Sequence, residues 1–258
     1  MRFVPEPTII RSGHKLWIPD QAEVAALMEE YKHEAEHSHW GYFGEDADWG
    51  ALGGENAACG TGREQSPITI TRTARVALAS LNVQYQPSAV RVLNNGHTAQ
   101  LNYAPGSFIE LDGKRFDLLQ FHFHIPSEHR ISGRLSDMEV HFVHRAADGT
   151  LAVVGVMLEQ GAENPALAAF WDQLPMVETP ERTLPGTLNA NDLLPAVRTT
   201  YRYNGSLTTP PCSEGVLWNL MTTSQSMSWW QIDTFRELFE VNARPVQPQY
   251  DRTVSTDR

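Results

Sequence analysis

Three histidines stand where the alternation of β-strands would bring them to one point. In Gln120-Phe121-His122-Phe123-His124, successive strand side chains point to opposite faces. His122 and His124 therefore project from one side and Phe121 and Phe123 from the other. Glu139-Val140-His141-Phe142-Val143 repeats the pattern, with Glu139 and His141 on one face and Val140 and Phe142 on the other. If the two strands are neighbours, three imidazoles converge. Three neutral imidazoles and a water make the tetrahedral set of a catalytic Zn²⁺ site, in which one position stays open for chemistry. Ligand histidines also need partners that fix ring and tautomer. Glu139 is placed to accept from His141, and Gln120 to orient His122. A solitary sheet histidine is more often an ordinary hydrogen-bonded core group; three in this alternation, accompanied by Gln120 and Glu139, point to a metal. His144 falls on the opposite face from His141 and is expected to be structural.

The segments that must hold these residues read as short strands: Ile68-Thr71, Val90-Leu93, His97-Tyr103, Phe108-Leu111, Phe116-His124, Met138-His144, Leu151-Leu158 and Val216-Thr223. Asn94-Asn95-Gly96 between the second and third is a hairpin signal, because Asn and Gly tolerate positive φ. Trp49 to Gly62, rich in Gly, Ala and acidic residues, reads as surface loop. Helical periodicity appears near Pro165-Gln173 and Trp229-Phe239, and the prolines after Gln173 suggest long ordered loops. The fold class is a mainly β single domain with peripheral helices. Ahead of it, Val24, Leu27, Met28, Tyr31 and Ala35 recur at helical spacing, and Asp20 with Glu23 resembles a capping box, so an amphipathic helix is expected from about Gln21 to His37. Its apolar stripe must pack on the body of the protein or on a second subunit, which leaves a homodimer as one of two arrangements.

Composition narrows the partners. The 258 residues are 41% apolar and 20% charged, with 7 Trp, 10 Phe and 7 Tyr, as in a packed domain. The net charge of −11 supplies no basic footprint for nucleic acid, and a small or neutral substrate fits better. The longest apolar stretch, Leu151 to Leu158, suits a buried strand and is far short of the roughly 20 residues that cross a bilayer. Cys59 and Cys212 are compatible with one disulfide or with two unrelated thiols. Met1 to Arg11 lack the basic segment and apolar run of a secretory signal, so the chain is expected either to be made without one or to be a processed or re-engineered form.

From His39 to about Pro248 the chain resembles the α-carbonic anhydrases, bacterial type. The landmarks stand in order: His39-Trp40-Gly41-Tyr42, Gln65-Ser66-Pro67-Ile68, Asn94-Asn95-Gly96-His97, Phe121-His122-Phe123-His124, Ser127-Glu128-His129, Glu139-Val140-His141-Phe142-Val143-His144 and Ser206-Leu207-Thr208-Thr209-Pro210-Pro211. None would suffice by itself. In this order, with the third histidine 17 residues after the second, they form a specific signature. Ile125 stands where many animal members have Trp, and the loop before Ser127 is shorter than theirs. Residues 1–38 read as an N-terminal extension and 39–258 as the catalytic domain.

The resemblance implies a central, twisted, mostly antiparallel sheet with Zn²⁺ at the base of a conical cleft, held by His122, His124 and His141. It implies reversible hydration of carbon dioxide to bicarbonate and a proton through a zinc-bound hydroxide, with a side activity on esters and inhibition by sulfonamides or anions. Asn242 would supply a backbone carbonyl to His124. Thr208, oriented by Glu128, would accept from the hydroxide, and Thr209 would line the substrate site. Val143, Val153, Leu207, Val216 and Trp218 would form its apolar wall, although by periodicity alone each reads as core. His97 would shuttle the proton, with Tyr42, Asn95 and Gln100 ordering the water path. Cys59 and Cys212 fall where bacterial members commonly form a disulfide, which implies a periplasmic or secreted protein. The rival readings are a family-like binding module without catalysis, disfavoured by the retained ligands, Thr208 and Glu128, and a zinc hydrolase acting on esters.

Overall fold

The apolar run Leu151-Leu158 forms a strand buried on both faces near the middle of a broad sheet. The computed structural model describes residues 40–44, 48–168 and 170–257. The helix expected from Gln21 to His37 and the landmark residue His39 lie outside the described residues. In chain order the strands are β1 (Thr69–Ile70), β2 (Ala74–Arg75), β3 (Asn82–Gln84), β4 (Ser88–Asn94), β5 (Ala99–Asn102), β6 (Phe108–Leu111), β7 (Lys114–His124) and β8 (Arg130–Ile131). They continue with β9 (Met138–Arg145), β10 (Leu151–Gln160), β11 (Thr179–Leu188), β12 (Thr200–Ser206), β13 (Glu214–Met221), β14 (Gln225–Met227) and β15 (Ser255–Thr256). The large sheet runs β11-β4-β5-β7-β9-β10-β13-β12-β15-β2, with β14 beside β10 and the β3–β6 pair beside β7. From β11 through β10 every neighbour on this path is antiparallel, and β13 then joins β10 in parallel.

Alternation along the central strands divides the apolar residues between two layers. Phe121, Phe123, Val140, Phe142, Val154 and Val156 enter the larger core together with Trp171, Ile232 and Phe235. Val143, Val153, Met157, Val216, Trp218 and Leu220 form a second cluster. Phe121, Phe123 and Phe142 are fully enclosed, and burying each such ring contributes roughly 2–3 kcal/mol. The helix Trp229–Leu238 closes the larger core. Its Ser228 and Gln231 form a capping box, and its Gln231 carbonyl accepts from the Trp171 indole at 2.7 Å.

The expected strands are present with shifted ends, and three readings need correction. Ala99 begins β5, two residues later than expected, because the turn extends to Thr98: Asn95 Oδ1 accepts from the backbone N–H groups of His97 and Thr98. Part of the region after Gln173 is strand and not loop. Thr179–Leu188, despite Pro180 and Pro185, is the outer strand β11, where a missing N–H is tolerated and the register slips twice against β4. Thr200–Ser206 also pairs along its whole length with β13. Trp49 to Gly62 is a chain of short helical turns, Trp49–Leu52, Gly54–Ala57 and Ala58–Thr61.

Candidate metal centre

Strands β7 and β9 pair so that His122 lies opposite His141 and His124 opposite Glu139. The register slips between Leu118 and Gln120 and then holds to the end of β7, which leaves the alternation from Gln120 onward intact. One ring nitrogen from each of His122, His124 and His141 lies within 4.8 Å of the others. The rings stand across one another, His122 at 74° to His124 and 90° to His141, as groups do when they turn edges and not faces toward a common point. His129, Glu139 and His141 are equally close together. Both of those rings donate to Glu139, so the second group is a hydrogen-bonded network.

Each imidazole has one nitrogen already committed. His122 Nδ1–H donates to Gln120 Oε1 at 2.9 Å, and His124 Nδ1–H donates to the Asn242 carbonyl at 2.7 Å. His141 is turned the other way, with Nε2–H donating to Glu139 Oε1 at 2.8 Å. The acceptors determine the tautomers and leave Nε2, Nε2 and Nδ1 as lone-pair donors. His124 Nε2 is buried without a hydrogen-bond partner, a costly state unless something else binds it. Burial lowers the pKa of all three rings, to about 4 for His124, against the opposing pull of Glu139. Three neutral, preoriented nitrogens with one orphaned lone pair fit Zn²⁺.

Glu139 anchors the site from behind. Oε1 accepts from the rings of His141 and His129, both at 2.8 Å, and Oε2 accepts from the backbone N–H of Glu128 and of His129, both at 2.9 Å. Burial would raise its pKa, but the two histidines outweigh burial and hold it well below the usual carboxylate range. His129 Nε2 in turn accepts from the Tyr203 hydroxyl at 2.6 Å, and Ser66 Oγ lies 2.8 Å from that hydroxyl. Gly155 of β10 faces His141 in the register, and a Cβ there would run into the end of Leu220 and press on Glu139.

Glu128 lies beside the imidazoles and Thr208 beside Glu128, both buried. Glu128 Oε1 accepts from the Arg244 backbone at 2.8 Å and stands 3.6 Å from His124 Nδ1. Its Oε2 has no partner of good geometry, yet the Thr208 hydroxyl is near enough to pull the acid's pKa down. Burial is the larger influence and pushes Glu128 up to about 7. Val143, Val153, Val216 and Trp218 belong to one buried cluster, with half-buried Leu207 packed against it. The Trp218 ring lies 4.9 Å from that of His141. This apolar layer is separate from the larger core, a division that periodicity alone does not reveal. Thr209 is half-buried beside Thr208.

His97 is half-buried, and its ring stacks on Trp40 with centroids 3.6 Å apart and planes at 12°. Tyr42 stands edge-on to His97 at 6.4 Å; burial, and then the charge of Glu128, raise its phenol well above the usual tyrosine value. Asn95 is exposed, with its side-chain oxygen committed to the turn. Gln100, opposite His122 in the β5–β7 register, donates to Asn102 at 2.7 Å. Cys59 and Cys212 are joined by a disulfide. It ties the segment after Thr208 to the short helical turns before Gln65.

Four participants escaped the sequence reading. His129 and Tyr203 complete the chain behind Glu139, Trp40 covers His97, and Arg244 binds Glu128 through its backbone. The Arg244 guanidinium also donates to Gln65, to the Ser66 carbonyl and to the Cys59 carbonyl. Trp40 and His129 belong to motifs already noticed and Tyr203 and Arg244 do not, but in either case a polar residue carries no local sign of its distant partner.

A three-histidine cluster on adjacent antiparallel strands, backed by a carboxylate and with Trp218 of the second apolar cluster beside it, has the donor set of a sheet-borne metal site. The eukaryotic-type carbonic anhydrase family model matches residues 44–258. A carbonic anhydrase of Nostoc sp. is 46% identical over 224 residues, 84% of this chain and 85% of the relative. The α-carbonic anhydrase of Thermovibrio ammonificans, solved with the inhibitor sulfanilamide, has a TM-score of 0.82 at 42% identity, covering 84% of this chain and 98% of that one. A hyperthermostable carbonic anhydrase from an active hydrothermal vent chimney has a TM-score of 0.83 at 44% identity, covering 85% and 100%. The chain belongs to the α-carbonic anhydrase family. It is a carbonic anhydrase enzyme, and that membership implies hydration of carbon dioxide.

Proposed function

We propose that His122 Nε2, His124 Nε2 and His141 Nδ1 hold Zn²⁺ and that the enzyme uses it for reversible hydration of carbon dioxide to bicarbonate and a proton. The observation that carries this reading is the convergence of three nitrogens whose ring partners are already spoken for, one of them buried and orphaned. A zinc ion in such a set supplies a Lewis acid that makes water nucleophilic near neutral pH, an effect for which carbonic anhydrases are themselves the standard example. The protein groups do the rest. Gln120, Glu139 and the backbone carbonyl of Asn242 keep the rings in register. A Thr208 hydroxyl that donates to Glu128 must turn a lone pair toward the reacting oxygen, which aims it.

Val143, Val153, Leu207, Val216 and Trp218, with Thr209 at their edge, hold the apolar substrate and keep bulk water from it. His97 carries the released proton outward, since an imidazole titrates near neutral pH. Tyr42, Asn95 and Gln100 flank the path. Aromatic sulfonamides, one of which occupies the Thermovibrio relative, are expected to inhibit. The disulfide supports residence in an oxidising compartment, the periplasm or outside the cell.

Stopped-flow carbon dioxide hydration tests the assignment, repeated after chelation, after zinc restoration and with an aromatic sulfonamide. Activity should vanish with the metal, return with zinc and fall with the sulfonamide. A zinc-loaded protein that hydrolyses an activated ester but leaves carbon dioxide hydration at the buffer rate would make it an esterase and overturn the proposal.

A further inference from the structure

We infer that the Asn242 side chain is a positioning residue for proton export, because it joins the turn that carries His97 to the strand that carries the metal ligands. This rests on the shuttle role proposed for His97. Asn242 is 2% exposed and every polar group it owns is engaged. Its backbone N–H donates to Ile125 at 3.0 Å and its carbonyl accepts from His124 Nδ1 at 2.7 Å. The side-chain oxygen accepts from the Ile125 N–H at 2.7 Å. The side-chain nitrogen donates one hydrogen to the His97 carbonyl in the turn and the other to the Phe123 carbonyl in β7, each at 2.9 Å.

Phe123 lies between the ligands His122 and His124. A single amide nitrogen therefore bridges the His97 backbone and the ligand strand. Thr98 Oγ1, on the adjacent residue, donates to the same Phe123 carbonyl at 2.6 Å and docks the same end of the turn. The donor and acceptor ends of the carboxamide are unambiguous, since the oxygen meets an N–H and the nitrogen meets two carbonyls. With its carbonyl held by Asn242 and its ring against Trp40, His97 is restrained from two directions. A proton relay through water tolerates little drift of its end group, so loosening this clasp should slow proton export while sparing the step that makes bicarbonate.

Asn242→Ala in the full zinc-loaded chain keeps the backbone carbonyl that serves His124. Zinc content should stay stoichiometric. In weak buffer kcat should fall about 5-fold while kcat/KM, which excludes the proton-export step, changes by less than about twofold. Added imidazole should restore kcat. On a His97→Ala background, Asn242→Ala should have no further effect on kcat, as for two residues acting through one step. Independently of activity, amide hydrogen exchange at His97 and Thr98 in the zinc-free protein should accelerate about tenfold or more. Asn242→Ser, which keeps a polar group near the Ile125 N–H, repeats the test if the alanine variant does not fold.

Parallel loss of kcat, kcat/KM and zinc would show a purely structural residue and overturn the inference. So would unchanged exchange and unchanged weak-buffer kcat. If His97→Ala itself leaves weak-buffer kcat unchanged, the shuttle reading fails and this role fails with it. If His97→Ala slows turnover and Asn242 variants do not, only the positioning role is lost.

Discussion

His141 donates Nε2–H to Glu139 at 2.8 Å and so keeps Nδ1 for the centre, the reverse of the orientation at His122 and His124. Glu139 sits two residues before His141 on the same face, while its own oxygens are oriented by two backbone N–H groups and by His129. Its partners therefore decide which nitrogen of His141 is left for a metal.

Glu139→Gln preserves size but replaces one acceptor oxygen by an amide that must confront an N–H donor. With four bonds converging there, stability should drop by about 2–4 kcal/mol, and zinc affinity by about 10- to 100-fold through loss of the His141 orientation. Urea unfolding and competition with a chelator measure the two effects. Unchanged zinc affinity would contradict the role given to Glu139.

His122→Ala removes one of the three proposed ligands while leaving the larger core untouched, since His122 projects from the face opposite Phe121 and Phe123. Elemental analysis after dialysis against a chelator should find well under one zinc per chain, and carbon dioxide hydration should be lost. Full metal occupancy in this variant would refute its assignment as ligand.

The Cys59–Cys212 bridge spans 153 positions, so cutting it should cost about 2–5 kcal/mol of stability. The Cys59→Ser, Cys212→Ser double variant, or the native chain in reductant, should unfold at lower denaturant. Turnover should fall as well, because the bridge secures the segment that follows Thr208. Identical unfolding midpoints with and without reductant would argue against a stabilising bridge.

Acid sensitivity should trace in part to His144. Burial, opposed by the Ala152 and Phe142 carbonyls, lowers its pKa to about 3, and the Tyr85 hydroxyl lies 2.6 Å from its Nε2. Its native pKa is thus below that of the unfolded chain, about 6.5, and between these values the unfolded state binds more protons. The stability contributed is whole above about pH 6.5 and is lost as pH falls toward 3, by up to about 1.4 kcal/mol per pH unit. His144→Gln, which can still meet Tyr85, should flatten the acid limb of a stability–pH curve measured by urea unfolding. An identical slope in the variant would exclude His144 as a contributor.

Among the elements, those whose signal is local could be read from the chain. Alternation in 120–124 and 139–143 placed the three imidazoles, Gln120 and Glu139 on common faces because strand geometry repeats every two residues. The helical periodicity near Trp229-Phe239 and the turn at Asn94-Asn95-Gly96 were likewise visible, since each depends on neighbours within a few positions. Strand β11 was not, because its two prolines argue against pairing and only its place at the outside of the sheet allows it.

The amino-acid order by itself thus determined which three histidines gather, the side of each strand they occupy and the family they resemble. Tertiary structure alone decided which nitrogen each ring offers and that His129 and Tyr203 stand behind Glu139. It also brought Asn242 to His97 across 145 positions and separated the apolar wall from the main core. The physical reason is one of range. Periodicity constrains the direction of a side chain relative to its own strand, whereas a hydrogen bond between distant segments exists only once the whole sheet has set their separation.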